Sequence, residues 1–202
     1  MKTTVIVSLG ILMCFASFAP AQIQGQLQLY ADETGVDCII PDTAPGLLTV
    51  YVYYFDYFGE EGISAIQFAA PKPDCFTNAV WLGDATPWPL SLGDSQLNDR
   101  RGWLIAFGGG AWCQTPPVYL GSIMYLAQGL TPTCCPYPVV KAPGDVHPEF
   151  PGPIAADCGE PEPSVIGVAA GTSYINGDHT CPCIWPVPVQ ERTWGGIKSL
   201  YR

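Results

Sequence analysis

Eight cysteines, Cys38, Cys75, Cys113, Cys134, Cys135, Cys158, Cys181 and Cys183, follow an apolar amino terminus and constrain this chain more than any other feature. A ninth, Cys14, lies inside that terminus. Met1 and Lys2 precede an apolar run from Val5 to Phe18, and Ala19, Pro20, Ala21 and Gln22 come next. A basic start, an apolar stretch of roughly 7 to 15 residues and a small-x-small cleavage site make a secretory signal. A membrane anchor would need about 20 apolar residues with basic residues after them. A lipid-modified Cys14 would need a small side chain where Met13 stands. Cleavage is expected after Ala21, leaving 181 of the 202 residues. An even cysteine count in an exported chain is the arithmetic of disulfides, so the expected location is secreted, extracellular or at the cell surface, with the periplasm also open.

Four bridges among eight cysteines allow on the order of a hundred connectivities. Two expectations can still be set. Cys134 and Cys135 should find separate partners, because a vicinal ring strains the peptide between them, and one of Cys181 and Cys183 is expected to reach Cys158, tying the end of the chain to the core.

The rest of the sequence points to strands. Gly (22) and Pro (21) together make about a fifth of the chain, a proportion that breaks helices and fills turns. Short runs rich in Val, Ile, Tyr, Phe and Trp recur between them, the spacing of an antiparallel sandwich or barrel. Strands are predicted at 26–31, with Leu27 and Leu29 inward and a wet opposite face, and at 46–57, the strongest, where β-branched and aromatic residues dominate. Others are predicted at 63–69, 79–82, 102–107, 118–126, 138–140, 164–168 and 172–175. The Pro-rich stretch 143–163 is the one subdivision the sequence suggests. The expected organisation is a signal peptide (1–21), an all-β, disulfide-stapled antiparallel β-sandwich (22–185), and a Pro-rich spacer with a short C-terminal helical tail (186–202). In that tail Trp194, Ile197 and Tyr201 would share one side.

A formal net charge of −10, or −11 once Lys2 is removed, repels phosphate backbones and anionic lipid headgroups. Nucleic acid is therefore not an expected partner, and no transmembrane span is expected after signal removal. The 13% charged and 48% apolar fractions fit a packed domain rather than an acidic disordered tail.

Taken in order, "LYADETGVDC", "GLLTVYVYYF", "GISAIQFAAPKPDC", "WLGDATPWPLSLGDSQ", "GLTPTCCPYPVV", "AADCGEPEP", "GTSYINGDHTCPC" and "TWGGIKSLYR" resemble a group of secreted bacterial Cys-rich β-sandwich proteins with a C-terminal tail of the TWGxIKxLYR type. The resemblance implies export and a sandwich; no activity is attached to the group. A looser similarity is to cohesin-like domains, carried by Val50 and Val52, then Gly62 to Phe68, then Ile105 to Phe107. That similarity implies binding to a partner protein on an assembled surface, although the cysteines depart from that family. The tail, with Trp194, Ile197, Lys198 and Tyr201, reads either as a docking or sorting segment or as a terminal helix packed on the sandwich.

Few residue constellations suggest chemistry. Asp32, Glu33, Asp37 and Asp42 surround a Gly turn and offer oxygens of the kind calcium takes in sets of 6 to 8, but their spacing matches no complete ligand loop. His179, Cys181 and Cys183 alternate beside Asp178 in a way zinc would use if the sulfurs were free. The two histidines, His147 and His179, lie in turn-rich sequence, and no nucleophile elbow, HExxH helix or phosphate-cradling loop is present. Asp56 and Glu60 are the carboxylate pair a glycosidase reading would use. No catalytic residue, metal or cofactor is expected, and the chain reads as a non-catalytic exported structural or interaction module. The alternative is a carbohydrate-binding module using exposed Trp81, Trp88, Trp103 or Trp112 with Tyr51, Tyr53 and Tyr54, which requires at least two Trp side chains in a row on one sheet face. A secreted hydrolase is the third reading.

Overall fold

A computed structural model describes residues 23–56, 62–98, 100–108, 112–159 and 162–182. Among them every regular element is a strand. In chain order these are β1 (Ile23–Tyr30), β2 (Ile39–Ile40), β3 (Pro45–Phe55), β4 (Ile63–Phe68), β5 (Val80–Ala85) and β6 (Leu90–Leu92). Then come β7 (Trp103–Ala106), β8 (Val118–Gln128), β9 (Cys135–Pro138), β10 (Ile154–Asp157), β11 (Val165–Ala170) and β12 (Thr172–Ile175). Nine strands form one sheet in the order β5-β8-β3-β1-β11-β10-β4-β7-β6, and β2-β12-β9 form a second, smaller one.

The large sheet curls until its two halves face each other. The clearest marker is Gly121 in β8: a Cβ there would stand 2.3 Å from the Ala85 carbonyl and 2.8 Å from the Trp103 ring of β7. Only a residue without a side chain lets the halves approach this closely. The segment between β5 and β6 crosses from one half to the other. Thr86 Oγ1 donates to the Leu120 carbonyl (2.6 Å) and Trp88 Nε1 to that of Tyr119 (2.8 Å), while the Trp88 ring meets Phe107 at 4.6 Å. Between the halves Leu27, Leu29, Val50, Val52, Tyr54, Ile66, Phe68, Trp103, Ile105, Leu120 and Ile123 form one core.

The small sheet closes one end. Tyr137 of β9 reaches into the core, shares a hydrogen bond with Tyr125 at 2.6 Å and donates to the Ala70 carbonyl at 3.0 Å. Gln96 Nε2 donates to Tyr125 (2.8 Å), so each of these buried polar groups has a partner, as a low-dielectric interior demands. Asp42, almost fully buried, clasps the same end by accepting from the Gly129 and Thr131 amides.

Three disulfides join described residues: Cys75–Cys135, Cys113–Cys158 and Cys134–Cys181. Cys38 is also disulfide-bonded. The adjacent Cys134 and Cys135 do take separate partners. Cys158, however, pairs with Cys113 of the segment before β8, not with Cys181 or Cys183; Cys181 is held by Cys134, because β9 and β12 are antiparallel neighbours.

Other expectations need correction. The sheet is not wholly antiparallel: β1 pairs with β11 and β12 with β2 in parallel. The wet face expected of β1 is dry, since Gln26 and Gln28 are buried, bond each other at 2.9 Å and lie against Gly171. The stretch 143–163 is no subdivision, because it contains β10, paired on both sides inside the large sheet; Pro153 is tolerated there because it stands just before the strand. The helix expected in the tail, with Trp194, Ile197, Lys198 and Tyr201, falls outside the described residues, as do Cys183 and the segment 1–21.

Candidate functional site

Strand pleating sends alternate residues to opposite faces, and in the half β11-β10-β4-β7-β6 this produces an unusual result. Ile66, Phe68, Trp103, Ile105 and Ala155 point inward and are buried. The register then aligns two outward rows. One runs Val165, Ala156, Ala65, Ala106, Leu90 and the other Gly167, Ile154, Gln67, Leu104, Leu92. None of these ten residues carries a charge, in a chain with 18 acidic side chains.

The face is apolar and accessible in part, with Ile154 and Gly167 buried within it. Leu90 is 48% exposed, and Leu92 and Val165 each 40%. Between β4, β7, β10 and Val165 lies a shallow groove of about 100 Å³. Gln67, the one polar side chain in the rows, spends its amide on the Arg101 carbonyl at 2.7 Å. A contiguous apolar patch rimmed by polar residues marks an interaction surface on a soluble protein, and depletion of charge at its centre is the compositional mark of an interface. Its chemistry is recognition by burial: it holds no nucleophile, base or ligand set.

The residues singled out from sequence are mostly placed elsewhere. Trp103 is buried, Trp81 and Trp88 pack against the core, and Trp112 is exposed, so these four do not make the row of exposed tryptophans that the sugar-binding reading requires. Tyr54 is likewise buried, and burial pushes its phenol well above the ordinary value. Asp32 and Asp42 do not converge on one ion. Asp32 accepts from the Thr34 amide (2.7 Å), the Thr34 hydroxyl, and the Asp37 amide (2.5 Å), while Asp42 serves the separate clasp. Cys134 and Cys181, with Asp178 nearby, are bonded to each other and offer zinc no thiolate. His147 lies on a turn with its Nδ1 3.1 Å from Glu149 and its ring against Phe150, and His179 is exposed. Glu60 lies outside the described residues.

Asp32 carries a testable consequence. The Thr34 hydrogen bonds, with those from the Asp37 and Val36 amides, hold its carboxyl below the ordinary 3.8. A depressed folded value contributes stability that is present above 3.8 and lost as pH falls through the folded value. Asp84 has the opposite sign: burial raises its carboxyl, and its contribution is lost as pH rises. Asp32→Asn should therefore lower the melting temperature at neutral pH and shrink the further drop on acidification below about pH 4, measured by thermal melts across that range.

Sequence reading missed the apolar face, though a signal was there. ISAIQF, WLIA, IAA and VIGVAA barely alternate, the pattern of strands buried on both sides; here, among the described residues, the second side is covered in part, with Phe150 packed on Gly167 at the β11 end.

No family model matches the chain, and no curated protein matches it, so the resemblance to tail-bearing exported proteins gains no support from either. Among the solved structures that align is the cohesin module of a family 33 glycoside hydrolase from Clostridium perfringens, at 6% identity and a TM-score of 0.49, covering 78% of this chain and 100% of that module. The likeness is distant and concerns overall shape alone.

Proposed function

We propose that this chain is a non-catalytic, exported interaction module that docks a protein partner at the cell surface or outside the cell through the outer face of β10, β4, β7 and β6. The observation that carries the reading is the uncharged double row from Val165 to Leu92 in an acidic protein, exposed at Val165, Leu90 and Leu92 and part-buried along most of its middle. The disulfides support export, since such bonds persist in oxidising compartments. No helix among the described residues is long and apolar enough to cross a membrane. The tail residues Trp194, Ile197, Lys198 and Tyr201 supply a second, sorting or anchoring, contact in this proposal.

A photo-crosslinking amino acid placed at Gln67 and activated in the producing cells tests it. A discrete protein adduct is expected from Gln67 and not from Leu130, an exposed apolar position remote from the face. Indistinguishable adducts from the two sites, or none from Gln67, would count against the docking reading.

A further inference from the structure

The opposite half of the sheet carries a second surface of different chemistry. Along β3, Tyr51, Tyr53 and Phe55 point outward at alternate positions, about 7 Å apart, and Tyr119 of β8 pairs beside Tyr53. The rings form an unbroken row: Tyr51 to Tyr119 is 6.3 Å between centroids, Tyr119 to Tyr53 5.3 Å, and Tyr53 to Phe55 6.1 Å. All four residues are half-buried, so part of each remains in contact with solvent. We propose that this row is a stacking platform for a neutral saccharide, with the Glu33 carboxylate binding sugar hydroxyls at its rim.

Three features carry the assignment. First, the platform is rigid. Tyr30 of β1, on the same face and buried, packs beside the row, 5.7 Å from both Tyr53 and Phe55. The loop after β1 holds the phenol tips, Tyr51 donating to Glu33 Oε1 at 3.2 Å and Tyr53 to the Glu33 carbonyl. Gly35, at φ +67°, presses that loop against the Tyr53 ring, where a Cβ would stand 3.3 Å from ring carbons. Fixed aromatic rings lose little conformational freedom on binding. Second, the surface is amphipathic. Aromatic faces take the C–H side of a pyranose, and a carboxylate with acceptor sites to spare takes hydroxyls, whereas the face of β10, β4, β7 and β6 has nothing comparable. Third, Asp32, Glu33 and Asp37 line one border, which disfavours an anionic glycan and leaves a neutral one.

Titration of the full chain with cellohexaose, xylohexaose and mannohexaose, followed by NMR of the tyrosine ring protons, tests the assignment. At least one sugar should shift the Tyr51 and Tyr119 signals. Tyr51→Ala and Tyr119→Ala should each weaken that binding about tenfold or more. Tyr51→Phe, which keeps the stacking ring, should weaken it less, and Val146→Lys, at an exposed loop position, should leave it unchanged. No shift with any of the three sugars would overturn the proposal. So would shifts that map away from Tyr51 and Tyr119, or a proline hexapeptide shifting these rings where the sugars do not. The ring-proton map decides even if an alanine variant fails to fold.

Discussion

Treatment with excess thiol reductant is expected to lower the melting temperature by well over ten degrees, to the point where the folded state is marginal at 37 °C. The Cys75–Cys135, Cys113–Cys158 and Cys134–Cys181 bridges close separations of 60, 45 and 47 residues. On the chain-entropy account each closure of that size contributes about 4 kcal/mol, against a net stability of roughly 5 to 15 kcal/mol for an ordinary domain. The bridges also join parts that strand pairing leaves loosely tied. Cys75–Cys135 links the segment between β4 and β5 to the small end sheet, and Cys113–Cys158 links the segment before β8 to the end of β10. The double variant Cys75→Ala with Cys135→Ala should by itself lower the melt by on the order of ten degrees. Calorimetry with and without reductant reads both; an unchanged melt on complete reduction would show that packing alone holds the fold.

The second large effect is expected at Trp103. Its side chain is 1% exposed, stacks at 5.5 Å on Phe68, donates to Ser91 Oγ at 2.8 Å, and fills the space that Gly121 leaves between the two halves. Trp103→Ala should cost about 3 to 5 kcal/mol, the loss of the transferred ring plus the cavity it leaves. The neighbouring Leu104 points the other way along the same strand. Leu104→Lys should cost far less than Trp103→Ala, because Leu104 is part-buried at the groove rather than enclosed in the core. Similar losses at both positions would mean that the outer face is covered within this chain, contrary to the register described above.

What the sequence disclosed and what it hid follow from one physical distinction. The strand at 45–55 was legible because Val50, Val52 and Tyr54 alternate with half-buried partners in a β-branched and aromatic run. β2 and β6 span only two and three residues, too short for a period to show, and β10 lay hidden among prolines. The outcome for the tryptophans was decided by tertiary packing, which periodicity does not carry: Trp103 became core, while Tyr51, Tyr53 and Tyr119 became the aromatic surface. The docking face was masked for a similar reason. An outward Ala65 or Leu104 in a continuous apolar strand reads the same whether a second layer covers it or water does, and only the assembled sheet shows both to be part-exposed. The disulfide partners were equally closed to sequence, since the Cys113–Cys158 bridge depends on where β10 enters the sheet.

The central claim is that the face spanning Ala65, Leu104 and Leu90 holds a protein partner, and retention is its most direct readout. Wild-type chain and Leu104→Lys, produced in the native cells, would be compared by sedimentation of the cell-surface and extracellular fractions under conditions that keep the disulfides intact. The wild type is expected to travel in a complex larger than the 21.7 kDa chain, and Leu104→Lys, while still folded, to sediment free. A folded Leu104→Lys protein still travelling with the same complex would contradict it.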